Sequence, residues 1–165
     1  MVRQELPLRY GYSLTCTRFT LTYADLATAT AATPASVTLA DALGNLFSVA
    51  QGGLVFGIRV KHDVKAAAPA LTALTMTIGQ VGDTTNNTFF VATPYNLFAA
   101  VADNTVQETA LFKAGQDAAF NINVTFTGDG TYNLSTLTAM QVHIDIFVAQ
   151  FGPINTQANA PSVTP

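Results

Sequence analysis

Two runs of alternating residues near the C-terminus, joined by one turn-rich connection in AFNINVTFTGDGTYNLSTLTAMQVHIDIFVAQ (119–150), constrain the fold more than any other part of this chain. Phe120, Ile122, Val124 and Phe126 share one parity, and Asn121, Asn123, Thr125 and Thr127 share the other. Val142, Ile144, Ile146 and Val148 then alternate with His143, Asp145, Phe147 and Ala149. A period of two over this length is that of strands with one face buried, so the pair reads as the end of a β-sandwich.

Earlier segments repeat the pattern. Leu14 to Tyr23 places Phe19, Leu21 and Tyr23 against Arg18, Thr20 and Thr22, although Leu14 and Cys16 share the parity of Arg18, which a bulge or a covered outer face would explain. Leu54 to Val64 reads as a central strand, with Ile58, Val60, His62 and Val64 opposite Arg59, Lys61 and Asp63. Shorter strands are expected at Ser36–Ala40, Thr72–Ile78, Thr88–Ala92 and Val106–Phe112, and single helical turns at Asp41–Phe47 and Tyr95–Val101. About eight strands with frequent turn signals and no long helix predict an all-β, jelly-roll-like sandwich of antiparallel strands. The domain spans 14–151, between an extended N-terminal arm (1–13) containing Pro7 and a polar, uncharged tail (152–165).

Only 10% of the 165 residues are charged, against about a quarter in ordinary soluble domains, so the surface must be built largely from Thr, Asn, Ser and Ala. Charge normally keeps a free protein in solution, and a chain this poor in it suits a subunit of an assembly. A net charge of −3 gives no electrostatic attraction to nucleic acid. The N-terminus is charged where a signal peptide needs an apolar run, which predicts synthesis in the cytoplasm, and Lys65 and Pro69 break the Ala-rich segment as a membrane span. Neither nucleic acid nor membrane is an expected partner. Cys16 is the only cysteine, which rules out an intrachain disulfide and reads as a buried, inert thiol.

The chemistry-bearing residues are few. His143 with Asp145, and His62 with Asp63, raise a metal site, but two histidines of opposite facing do not supply three or four converging ligands. Asp83 and Asp129 lie in Gly- and Asn-rich loops that resemble calcium loops, yet each loop has a single carboxylate, and turn chemistry accounts for both. Asn86, Asn123 and Asn133 head Asn-x-Ser/Thr sequons, read as chance in an Asn- and Thr-rich chain. Thr75, Thr77, Asn121, Asn123 and Thr125 could form a flat saccharide- or ice-binding row, or simply the uncharged outer face of a sheet. There is no GxSxG, no cysteine with a nearby histidine and no carboxylate pair on one strand face, so no catalytic residue, cofactor or metal is assigned.

The runs VFGIRVKHDV, LTMTIGQVGDTTNNTFFVATPYNL and FNINVTFTGDGTYNLSTLTAMQVHIDIFVAQ together resemble small virion proteins of tailed bacteriophages, over about Leu54 to Phe151. The shared features are a strand of the pattern G-hydrophobic-x-V-x-V, here Gly57, Ile58 and Val60 with His62 at the last position, an IGxxGD loop leading to an aromatic strand, and a final hairpin. Met140 and Gln141 stand where that pattern more often has Gly and Glu. The resemblance implies a non-enzymatic capsid decoration, or cement, protein. Such a protein would be a homotrimeric jelly roll on the virion surface, with the major capsid protein as partner and capsomers clamped from outside. A fibre-tip or receptor-binding sandwich and a carbohydrate-binding module are the alternatives, and both ask for exposed aromatics, of which Tyr95, Tyr132 and Phe147 are the candidates.

Jelly-roll order puts the last strand between the first and that of Leu54–Val64. His143, Asp145 and Phe147 are then flanked by Arg18 on one side and by Arg59, Lys61 and Asp63 on the other. These seven residues are the expected interface, with Asp145 paired to Arg59 or Lys61 and an outward Phe147 ringed by charge.

Overall fold

A computed structural model describes residues 3–7, 12–27, 35–38, 40, 46–50, 53–81, 91–98, 105–113 and 119–151. The C-terminal tail and the Asp83 loop lie outside them. The strands are β1 (Arg3–Pro7), β2 (Tyr12–Thr22), β3 (Ala35–Thr38), β4 (Ser48–Val49), β5 (Leu54–Ala67), β6 (Leu74–Gln80), β7 (Val91–Asn96), β8 (Thr105–Lys113), β9 (Phe120–Gly128) and β10 (Ala139–Phe151). Single 3₁₀ turns occur at Tyr23–Leu26 and Leu134–Thr136.

One sheet runs β1-β2-β10-β5-β8, and the other runs β3-β9-β6-β7 with β4 also paired to β9. Every pairing is antiparallel. Set aside β1 and β4, and the remaining eight strands form two four-stranded sheets, 2-10-5-8 and 3-9-6-7, the interleaved order of a jelly roll. The expected all-β sandwich is therefore the observed one, with β1 extending one edge and β4 lengthening the pairing of β9.

Alternation places the core. Val142, Ile144, Ile146 and Val148 of β10 are buried against Ile122, Val124 and Phe126 of β9 and their neighbours Leu74, Met76 and Ile78 on β6. His62 joins this core at 1% exposure, its ring edge-on to Tyr95 at a centroid distance of 6.1 Å. A residue in a strand can face the core only if its parity allows it, and these have the parity read from the sequence.

Two local expectations change. Tyr95 and Asn96 end β7 instead of starting a helical turn, while the first residues of the strand expected at Thr88–Ala92 lie outside the described residues. Pro94 sits inside it, which an edge strand tolerates because its N–H side needs no ladder partner. Ala40 and Leu46 form an isolated antiparallel bridge, and the helical turn expected at Asp41–Phe47 falls mainly on 41–45, outside the described residues. β2 pairs with both neighbours without a register shift, so the parity of Leu14 and Cys16 does not come from a bulge there.

Phe126 has no exposed surface and lies at the centre of the second sheet's inner face. Phe126→Ala is expected to lower the free energy of unfolding by about 3–5 kcal/mol, measured as a fall in the urea midpoint at unchanged m-value.

Candidate functional site

The outer face of the first sheet brings the expected residues together by register. Arg18, Asp145 and Arg59 are Cα partners across β2, β10 and β5, and Glu108 on β8 occupies the next position of the same rung. One rung further along, Thr20, His143 and Lys61 stand side by side.

The Asp145 carboxylate is held by two guanidinium groups. Arg18 donates from Nε to Oδ1 at 2.6 Å and from Nη2 to Oδ2 at 2.8 Å, the two-pronged geometry a planar fork allows, while Arg59 Nη1 stands 3.9 Å from Oδ2. Asp145 is only 3% exposed although it faces away from the core. Its hydrogen bonds with Arg18 hold that guanidinium still more firmly protonated. Of the two expected partners of Asp145, Arg59 forms an ion pair with it and Lys61 pairs with Asp63, while Arg18, directly opposite and able to reach both oxygens, is the principal partner.

Lys61 turns instead to Asp63, two residues along its own strand face, with Nζ 2.7 Å from Oδ1. His143 Nε2 reaches the other oxygen of Asp63 at 2.7 Å, and its Nδ1 lies 2.8 Å from the Thr20 hydroxyl. The Lys61 ammonium, and after it the hydrogen bond from His143, hold the Asp63 carboxyl below the usual carboxylate range. His143 therefore meets Asp63 across the strands and not the nearby Asp145, while His62 faces the core and Asp63 the outside. Neither sequence-adjacent pair forms a ligand set, and no group of three or more His, Cys, Asp or Glu among the described residues could hold a metal ion.

Phe147 is half-buried and does not sit within a ring of charge. Its register partners are Cys16 and Gly57, and its ring packs on Phe56 at a centroid distance of 5.9 Å. The cause is a bulge: Phe147 pairs with Gly57 and Val148 with Val55, which leaves Phe56 as the extra residue on β5. That extra residue interrupts the alternation of LVFGIRV and was the one sequence signal of this contact. Cys16, expected to be buried, is half-buried beside this pair, and desolvation, followed by the nearby Asp145 charge, pushes its thiol up.

The other candidate positions resolve individually. Asn123 and Thr125, on the outer face of the second sheet, are 7% and 5% exposed, so the row they belong to is no open platform for a saccharide or for ice. Asn123 is equally closed to glycosylation, while Asn133 is exposed. Tyr95 is buried, whereas Tyr132 and Tyr23 are 43% and 45% exposed. Sequence reading missed Tyr23 because it continues the inward parity of Phe19 and Leu21 just as β2 ends and the chain enters a 3₁₀ turn.

Asp129 is a turn anchor. It accepts from the Thr72 N–H (2.8 Å) and hydroxyl (3.0 Å) through one oxygen, and from the Thr131 (2.9 Å) and Tyr132 (3.3 Å) N–H groups through the other. Four donors leave little lone-pair capacity for calcium. Chiefly the Thr72 N–H, and then that of Thr131, lower its pKa to about 2.

The solved structures it is similar to include a chain of the cyanophage Pam1 capsid asymmetric unit, with a TM-score of 0.56 and 12% identity over 87% of this chain and 89% of that one. Lower similarity extends to infectious bursal disease virus, Gx strain (TM-score 0.38, 14% identity, 87% of this chain and 33% of that one). Desmodium yellow mottle tymovirus is comparable (0.37, 10%, 93% and 95%). At these identities the likeness to the cyanophage chain concerns the fold. No protein-family profile and no curated protein sequence matches the chain.

Two outcomes follow from the site. Replacing Arg18 by Met leaves the desolvated Asp145 carboxylate with one distant cation, and is expected to cost roughly 1–3 kcal/mol in urea unfolding at neutral pH. Asp129 has a folded pKa below its unfolded value near 4, so its stabilisation is fully present above pH 4 and is lost as pH falls towards 2. Asp129→Asn should therefore flatten the acid dependence of the unfolding midpoint between pH 4 and pH 2, and a profile parallel to that of the parent chain would refute the assignment.

Proposed function

We propose that this chain is a non-enzymatic virion structural protein. In this reading it is a capsid decoration, or cement, protein that binds the outer surface of a shell as a homotrimer and ties neighbouring subunits of the major capsid protein together. The observation that carries the reading is how the chain spends its scarce charge. Arg18, Arg59, Lys61, Asp63 and Asp145 neutralise one another on the outer face of one sheet. With 10% of residues charged, what remains for the rest of the surface is mostly neutral hydroxyl, amide and methyl groups. Such a surface gains by being covered, and contacts made to several subunits at once reinforce each other through effective concentration.

A jelly roll matched over nearly its whole length by a chain of a phage capsid asymmetric unit supports the same reading, as does the resemblance of 54–151 to small phage virion proteins. The mechanism is cohesive: each subunit bound to the intact shell adds free energy that is forfeited when the shell ruptures. No step of it needs a cofactor, a metal, nucleic acid or a membrane.

The test is reconstitution. The purified chain should sediment as a trimer, bind shells assembled from the major capsid protein of the same virus, and raise the temperature at which they rupture. A chain that stays monomeric and leaves both sedimentation and rupture of the shells unchanged would refute the proposal.

A further inference from the structure

The outer face of the first sheet is polar along one half of its length and apolar along the other. On one side of the rung of Arg18, Asp145 and Arg59 stand Thr20, His143 and Lys61; on the other side come Cys16, Phe147 and Phe56, then Leu14, Ala149 and Leu54. Alternation fails in this second half. Phe147, Val148 and Ala149 run without a polar residue, as do Leu54, Val55 and Phe56, the pattern of strands covered on both faces. β2 shows the same lapse at Leu14 and Cys16, and since its pairings contain no register shift, a covered outer face is the explanation that remains. Ala149 is only 6% exposed and the others of this patch are half-buried. Every described strand belongs to one of the two sheets, so no strand among the described residues forms a third layer above it.

The path of the chain supplies a cover. Phe151 pairs with Tyr12, two positions beyond the pair of Ala149 with Leu14, so β10 ends at the border of the patch. Gly152 and Pro153 follow. β10 is paired on both sides, and a proline cannot donate to a ladder, so the chain must leave the sheet here. The inner face is already filled by the core, which leaves the outer patch as the apolar surface within reach. Residues 152–165 have no charged side chain and include Ile154, Ala158, Ala160 and Val163, so laying them on apolar surface strands no ion. Extended, they reach about 45 Å, whereas the return from Phe151 to Phe147 needs about 14 Å. A segment tethered at the border of its seat also meets it at far higher effective concentration than any other molecule does.

We propose that the apolar half of this outer face is the seat of the chain's own C-terminal segment, which turns back at Gly152-Pro153 and lays Ile154 over Leu14, Ala149 and Leu54, and later residues over Phe147 and Phe56. The segment is a strap across β2, β10 and β5, and Phe147 is covered from within the chain. The inference does not depend on the decoration reading.

The chain has one cysteine and no tryptophan, so seat and strap can each be followed by a single reporter. Cys16 should react slowly with an aromatic disulfide reagent in the full chain, and Ile154→Asp should speed that reaction about tenfold or more by releasing the strap. Ile154→Trp should emit to the blue of an indole in water, at a wavelength unchanged by dilution, and adding Phe147→Ser should shift that emission back to the red. Equal reactivity of Cys16 in the parent and Ile154→Asp chains, or emission from position 154 like that of an indole in water, overturns the proposal. Protection or a blue shift that is lost on dilution would assign the patch to a second copy, and protection of Cys16 gained only on binding to shells would assign it to the capsid; either result overturns it as well. Should Ile154→Asp fail to fold, the emission of the Ile154→Trp chain decides alone.

Discussion

Everything in this fold hangs on the position of β10 between β2 and β5, because that strand must satisfy two opposite environments at once. Its inner residues complete the core, and its outer residues include a carboxylate that is desolvated between two arginines. A slip of one residue in either pairing would put Asp145 into the core and Ile144 or Ile146 outside. The apolar period alone specifies the parity; the pairing of Asp145 with Arg18 specifies which rung. An ion pair whose carboxylate is buried contributes less net stability than its distances suggest, since desolvation of that group offsets much of the attraction. Here the pair acts mainly by penalising the wrong register, where the same carboxylate would face no cation.

How much of this could be read beforehand follows from where the physics is local. The parity of β5, β9 and β10 is a local property, and it led directly to the core, to the jelly-roll order and to the meeting of Arg18, Arg59, Lys61, Asp63, His143 and Asp145 on one face. The partners within that face were not legible, because they depend on side-chain length and fork geometry across strands: Arg18 reaches both oxygens of Asp145, and Lys61 bends along its own strand to Asp63. The contact of Phe147 with Phe56 was not legible for a similar reason. A bulge is set by two registers together, and a single strand's pattern shows it only as a lapse in alternation. Tyr95 was read as opening a helical turn because Pro94 and Tyr95 look like turn residues until the strand is known to be an edge.

Asp129 shows the opposite case, where a functional motif and a structural one share the same letters. A carboxylate among Gly, Thr and Asn can wrap a cation or its own chain, and the sequence TGDGTYN fits both. What decides is the supply of donors: with Thr72, Thr131 and Tyr132 all pointing at it, the carboxylate is already solvated by the protein. The same economy applies to Asp25, Asp63 and Asp145, each engaged by a neighbour within its own chain.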